Sequence, residues 1–173
     1  FPTRRSSDLC QGERIWNDVT EKCRGLIVDG DNNIIARPFK KFYNYEELVV
    51  NNVPIDKYLD DNMAFDAYEK LDGSLGIMYW IDDTPYIATK GSFTSEQALH
   101  ATELLHTKYR NVWNRLDRNK TFLFEIIYPQ DLHVVTYKNV DDIFLIGVLD
   151  NEDENTEYDI ESYCDIFNTT KKY

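Results

Sequence analysis

The chain has 173 residues, enough for one domain with its own core, and its 42% hydrophobic, 29% charged and 14% aromatic content is that of a folded, sheet-containing protein. A formal net charge of -12 excludes nucleic-acid binding through a general basic surface but leaves room for a local basic pocket. Three cysteines (Cys10, Cys23, Cys164) without metal-ligand spacing and three scattered histidines (His100, His106, His133) predict reduced thiols of a cytoplasmic protein, and no apolar run is long enough to span a membrane.

In chain order, Phe1-Pro2-Thr3-Arg4-Arg5-Ser6-Ser7-Asp8-Leu9 does not match the rest of the chain. It reads as a translated sequencing-adapter remnant, leaving 10–173 as one incomplete domain. Residues 24–28 predict a strand, 29–32 a turn and 33–37 a second strand, giving a hairpin that Pro38 ends. Residues 39–45 form a loop dense in aromatics and lysines, and 46–50 a short helix. Residues 67–80 read as strand, turn at Asp72-Gly73, strand. Residues 82–85 are a turn, followed by a strand at 86–89. From Ala98 to Leu116 the apolar residues follow helical spacing, predicting one long helix capped by Thr94, with Gln97 completing a capping box. Residues 121–127 predict an apolar strand pairing with 132–137 across Pro129-Gln130-Asp131. Residues 143–149 predict a buried strand, the acidic run 150–157 reads as a solvated loop, and 158–167 stays ambiguous. Strands outnumber helices and the turns are short, so the fold class is antiparallel α+β.

The chemistry centres on Lys70, in Glu69-Lys70-Leu71-Asp72-Gly73-Ser74. A lysine attacks phosphorus only when unprotonated; burial or a neighbouring positive charge exposes its lone pair. Gly73 would let the backbone approach a nucleotide closely. Lys-x-Asp-Gly alone is a weak signal, expected by chance in roughly one chain in thirty of this size. An exposed lysine at a turn is the plain alternative. Glu125 is the second informative residue, because it interrupts the apolar run 122–127. A carboxylate in a core strand needs a partner or a metal; at an exposed edge it needs neither.

Five ordered segments change the weighting: Cys23-Arg24-Gly25, Arg37-Pro38-Phe39-Lys40-Lys41-Phe42-Tyr43-Asn44, Lys70-Leu71-Asp72-Gly73-Ser74-Leu75, Lys90-Gly91-Ser92-Phe93-Thr94-Ser95-Glu96-Gln97-Ala98, and Phe124-Glu125-Ile126-Ile127-Tyr128-Pro129. From about Cys23 onward the chain resembles the nucleotidyltransferase domain of RNA ligase 1 of the T-even bacteriophages, ATP-dependent enzymes that repair broken tRNA. The resemblance implies an antiparallel-sheet, ATP-grasp-like ligase adenylation domain. It implies Lys70 as the residue that takes AMP covalently. Arg24 would contact the nucleotide near sugar and phosphate, and Lys41 and Tyr43 would share that pocket. Lys90 would lie near the nucleotide, Asp72 and Gly73 would belong to the lysine's own motif, and Glu125 would contact the ribose or support a metal. The implied cofactors are ATP and Mg²⁺, and the implied partner is RNA with nicked or broken ends, tRNA included; the oligomeric state stays open, with a monomer expected.

The resemblance has limits. The family's downstream acidic motif and its later Lys-x-Lys strand are not found, and Lys171-Lys172 is adjacent and too early to be that motif. Alternatives remain open: a DNA ligase, an mRNA capping enzyme that attaches GMP, or a truncated nucleotide-binding module without activity.

Overall fold

The computed structural model describes residues 4–5, 16–50, 64–131, 134–135 and 137–173. Its strands are β1 (Arg4–Arg5), β2 (Ile27–Val28), β3 (Ile34–Ala36), β4 (Ser74–Ile81), β5 (Thr84–Thr89), β6 (Lys120–Ile127), β7 (Asp142–Asp150), β8 (Glu157–Tyr158) and β9 (Asn168–Thr169). The helices are α1 (Tyr45–Val50) and α2 (Glu96–Thr107), with 3₁₀ turns at Arg110–Arg115 and Ile160–Tyr163. Strands β1-β2-β3 form a small antiparallel sheet. A six-stranded sheet runs β5-β4-β6-β7-β8, with β9 parallel to β7. The class is α+β with mainly antiparallel sheets.

Alternation along the central strands buries both faces of the large sheet. Phe122, Phe124 and Ile126 of β6 join Met78, Ile143 and Leu145 under Ala101 and Leu105 of α2. Leu123 faces the other way and packs with Ile77 and Tyr79 against Ile27 and Ala36 of the small sheet. A bulge sets Leu123 opposite Gly147 and Phe124 opposite Leu145, so Ile146 is the extra residue of β7. Gly147 has a packing reason: a Cβ there would lie 2.3 Å from Phe39 Cζ. Phe39 therefore seats the loop after β3 directly on the sheet.

The hairpin at 24–37, the short helix, and the strands at 121–127 and 143–149 stand where the sequence predicts them. Four expectations need correction. Residues 64–73 form no strand before the Asp72-Gly73 turn; only an isolated bridge, Tyr68 to Lys172, lies there. The chain's own end supplies that segment's partner, which local patterning does not reveal. The long helix stops at Thr107, where Tyr109 turns inward to hydrogen-bond Asp142 at 2.7 Å. Val112 and Leu116 reach the same core through a 3₁₀ turn, so the helical spacing survives the break. The helix cap is Ser95, whose Oγ accepts the Ala98 N–H at 3.2 Å, while Gln97 reaches Asp131. Lastly, β6 pairs with β4 and β7, so the 132–137 segment is not its partner; Leu132, His133 and Thr136 lie outside the described residues.

The acidic run also departs from a simple solvated loop. It forms the β7–β8 connection, in which Asp150 accepts the N–H groups of Glu152 and Asp153. Glu154 pairs with Lys22 at 2.6 Å and lies within 3.9 Å of Arg37 and 3.8 Å of Lys40. The remaining leading residues and Cys10 lie outside the described residues, as do 51–63.

Candidate functional site

Where β4 begins and β6 ends, a pocket of about 980 Å³ opens on the face of the sheet away from α2. Arg24, Lys70 and Glu125 line it together, although they lie far apart in sequence. Leu71, beside Lys70, is buried and anchors the segment. Lys70 itself is exposed, and among the described residues its side chain has no hydrogen-bond or ion-pair partner. Arg24 and Lys172 line the same pocket.

The turn after Lys70 is fixed from both sides. Glu125 is half-buried on the central strand β6, and its Oε1 accepts the Gly73 N–H at 2.7 Å. The sheet-edge alternative for this carboxylate is excluded, because β4 and β7 flank β6. Asp72 is not among the residues lining the pocket: its Oδ2 accepts the Val135 N–H at 2.8 Å, and its own N–H donates to the Tyr137 hydroxyl at 3.0 Å. Gly73 is needed for a close approach to β6. A Cβ there would lie 2.3 Å from the Ile126 carbonyl oxygen, so it is β6 that leaves no room for a side chain. Ser74 donates to Asp131 at 2.8 Å, tying the start of β4 to the loop after β6.

A basic arc stands beside the pocket. Gly25 adopts a left-handed φ of +79°, and a Cβ on it would lie 3.9 Å from Lys90 Cα. This brings Arg24 close to Lys90. Burial pushes the Lys90 ammonium below the usual lysine range, helped by the charges of Arg24 and Lys41, and burial also lowers the Arg24 guanidinium. Three cations held together in this way favour a polyanion. Lys41 lies 4.0 Å above the Tyr43 ring, and the Tyr43 hydroxyl donates to Glu21. One ring face of Tyr43 thus supports Lys41 rather than standing open. Its neighbour Phe42 lines the pocket, along with Phe39, Tyr68 and Tyr158; Phe42 is 64% exposed, with Arg24 Cζ 5.8 Å from its ring centre. Sequence reasoning missed Phe42 because alternating aromatics in a loop carry no direction. It also missed Lys172, which lines the pocket and pairs with Asp66 at 3.2 Å.

A divalent cation fits this site only in part. Among the described residues no three His, Cys, Asp or Glu side chains stand close enough to hold a metal ion. Glu125 is a half-buried carboxylate at the pocket and suits one ligand position. Magnesium commonly takes one or two carboxylates and completes its shell with substrate phosphates and water. No described helix is long and apolar enough to cross a membrane.

A model of an RNA ligase family, the one typified by T4 RNA ligase 1, matches residues 22–173. The chain is also 28% identical over 153 residues to a protein of Autographa californica nuclear polyhedrosis virus named as a bifunctional polynucleotide kinase/RNA ligase. That match covers 78% of this chain and 22% of the viral protein, so the chain spans about a fifth of that relative's length.

Proposed function

The chain belongs to the T4 RNA ligase 1 family, and from that membership we propose that it carries the nucleotide-attaching part of an ATP-dependent RNA ligase, with Lys70 as nucleophile. The observation that supports this reading best is the meeting of Lys70, Arg24 and Glu125 in one pocket beside the Lys41–Lys90 arc. The domain would then be a nucleotidyltransferase of the ligase adenylation type.

In this reading the Lys70 amine attacks the α-phosphorus of ATP. A nitrogen–phosphorus bond forms, the bond to the bridging oxygen breaks, and pyrophosphate leaves with that electron pair while the amine releases a proton to water. A terminal RNA 5′-phosphate oxygen then attacks the AMP phosphorus and returns the electron pair to Lys70. An RNA 3′-hydroxyl displaces AMP and closes the phosphodiester, with its proton passing to solvent. Arg24 suits phosphate or ribose oxygens through its planar fork, and Lys41 and Lys90 offset the triphosphate charge. Magnesium, with Glu125 as its protein ligand, would supply further charge neutralisation on the phosphates. The substrate would be RNA with broken ends, tRNA among them, in a cytoplasm.

The competing reading is another lysine-nucleotidylating transferase, a DNA ligase or a GTP-using capping enzyme. Incubation with ATP or GTP labelled at the α-phosphate separates them. Covalent label from ATP, followed by joining of RNA ends, is the expected result. Covalent label from GTP alone would support the capping reading and end this one.

A further inference from the structure

The segment that carries Lys70 is not part of either sheet, yet its backbone is held on every side. On the near side, the Glu69 N–H donates to the Lys171 carbonyl at 2.8 Å. The Glu69 carbonyl accepts the Thr170 hydroxyl at 2.5 Å. The Tyr173 N–H donates to the Ala67 carbonyl at 2.8 Å, and Tyr68 bridges Lys172. On the far side, Tyr137 and Glu125 hold the N–H groups of Asp72 and Gly73. Lys70 is the exposed residue between two fixed ends.

One of these bonds has a direct geometric consequence. The Glu69 carbonyl belongs to the peptide plane that ends at Lys70 Cα. Fixing its oxygen fixes the orientation of that plane and of the Lys70 N–Cα bond; with Leu71 buried and the Asp72 N–H held on the other side, this restricts the direction in which the Lys70 side chain leaves the backbone. Thr170 can do this because it is itself anchored: it is 8% exposed, and its N–H reaches the Leu145 carbonyl of β7 at 3.4 Å. It follows directly on β9, which is paired in register with β7, Leu145 opposite Thr169. The chain of contact runs from the central sheet through one hydroxyl to the lysine.

We propose that Thr170 is a positioning residue for Lys70, setting the approach of its amine to the bound nucleotide by hydrogen-bonding the Glu69 carbonyl. The proposal rests on the reading of Lys70 as the AMP acceptor. Thr170 lines the pocket but supplies no charge, so its loss affects the attack and leaves nucleotide binding largely intact.

The test measures single-turnover formation of the protein–AMP adduct, at varied ATP, in the intact chain and in Thr170→Val, Thr170→Ser and Lys70→Ala. Val keeps the shape and removes the donor; Ser restores the donor. The expected result is a maximal rate about tenfold lower in Thr170→Val, with half-saturating ATP within about twofold of the parent, and recovery in Thr170→Ser. A parent-like rate in Thr170→Val overturns the proposal. So does a joint loss of rate and ATP affinity that Thr170→Ser fails to restore, because that is the mark of damage to the pocket as a whole. Adduct formation in Lys70→Ala at the parent level overturns the nucleophile assignment itself, whatever Thr170 does.

Discussion

Glu125 Oε1 accepts the Gly73 N–H at 2.7 Å, a bond that spans 52 positions and ties the central strand to the turn three residues past Lys70. The carboxylate is thus both a structural acceptor and a charged group on the pocket wall, and the two roles can be separated. Glu125→Gln keeps an acceptor oxygen and removes the charge. Its stability is expected within about 1 kcal/mol of the parent by urea unfolding, with protein–AMP formation reduced at least about tenfold. Glu125→Ala, which deprives the Gly73 N–H of this acceptor, is expected to cost about 1–3 kcal/mol as well. Equal adduct formation by Glu125→Gln and the parent would remove Glu125 from the chemistry.

Gly73→Ala tests the close approach of the turn to β6. The added methyl would lie 2.3 Å from the Ile126 carbonyl oxygen, which is backbone and cannot swing away. The turn must move, and overpacking of this kind costs about 1–3 kcal/mol. Thermal unfolding should show the loss, and adduct formation should fall with it because Lys70 moves with the turn.

The Arg24–Lys41–Lys90 arc predicts a proton linkage. The Lys90 pKa is lowered by burial and by its two cationic neighbours. A bound triphosphate would oppose that effect and raise it again, so binding takes up protons, and weakens, as pH rises through the lowered Lys90 titration. Calorimetry in two buffers of different ionisation enthalpy should reveal the uptake, and Lys90→Met should abolish it. An uptake that survives in Lys90→Met would assign the linkage to another group.

Away from the site, Asp142 accepts the Tyr109 hydroxyl and an ion pair from Lys108 where α2 ends. Burial first, and then the Asp142 bond and charge, hold the Tyr109 hydroxyl far above the ordinary tyrosine range. A raised folded-state pKa means that ionisation opposes folding. The contribution is complete below the unfolded value of about 10 and is lost as pH rises beyond it. The urea midpoint should therefore fall more steeply between pH 9 and about 11 in the parent than in Tyr109→Phe. Parallel profiles would contradict the assignment.

The sequence made the hairpin before the pocket, the short helix and the two central strands legible, because each is encoded within its own few residues. The α+β class followed from them. Elements that depend on distant partners were not legible. Residues 64–73 are paired by the far end of the chain, β6 is paired by β7 and not by the nearer segment, and the helix ends where Tyr109 meets a carboxylate 33 positions away. The same divide runs through the site. Lys70, Arg24 and Glu125 were marked by ordered motifs and do meet at one pocket. The partners that fix Asp72 and the placement of Phe42 and Lys172 at the pocket depend on three-dimensional register alone.

The role proposed for Lys70 is to take AMP covalently. The most direct measurement is peptide mass spectrometry of the intact chain after incubation with ATP and magnesium, beside Lys70→Ala treated in the same way. An AMP adduct is expected on the peptide containing Lys70, and none anywhere in Lys70→Ala. An adduct on another residue, or an undiminished adduct in Lys70→Ala, would contradict that role.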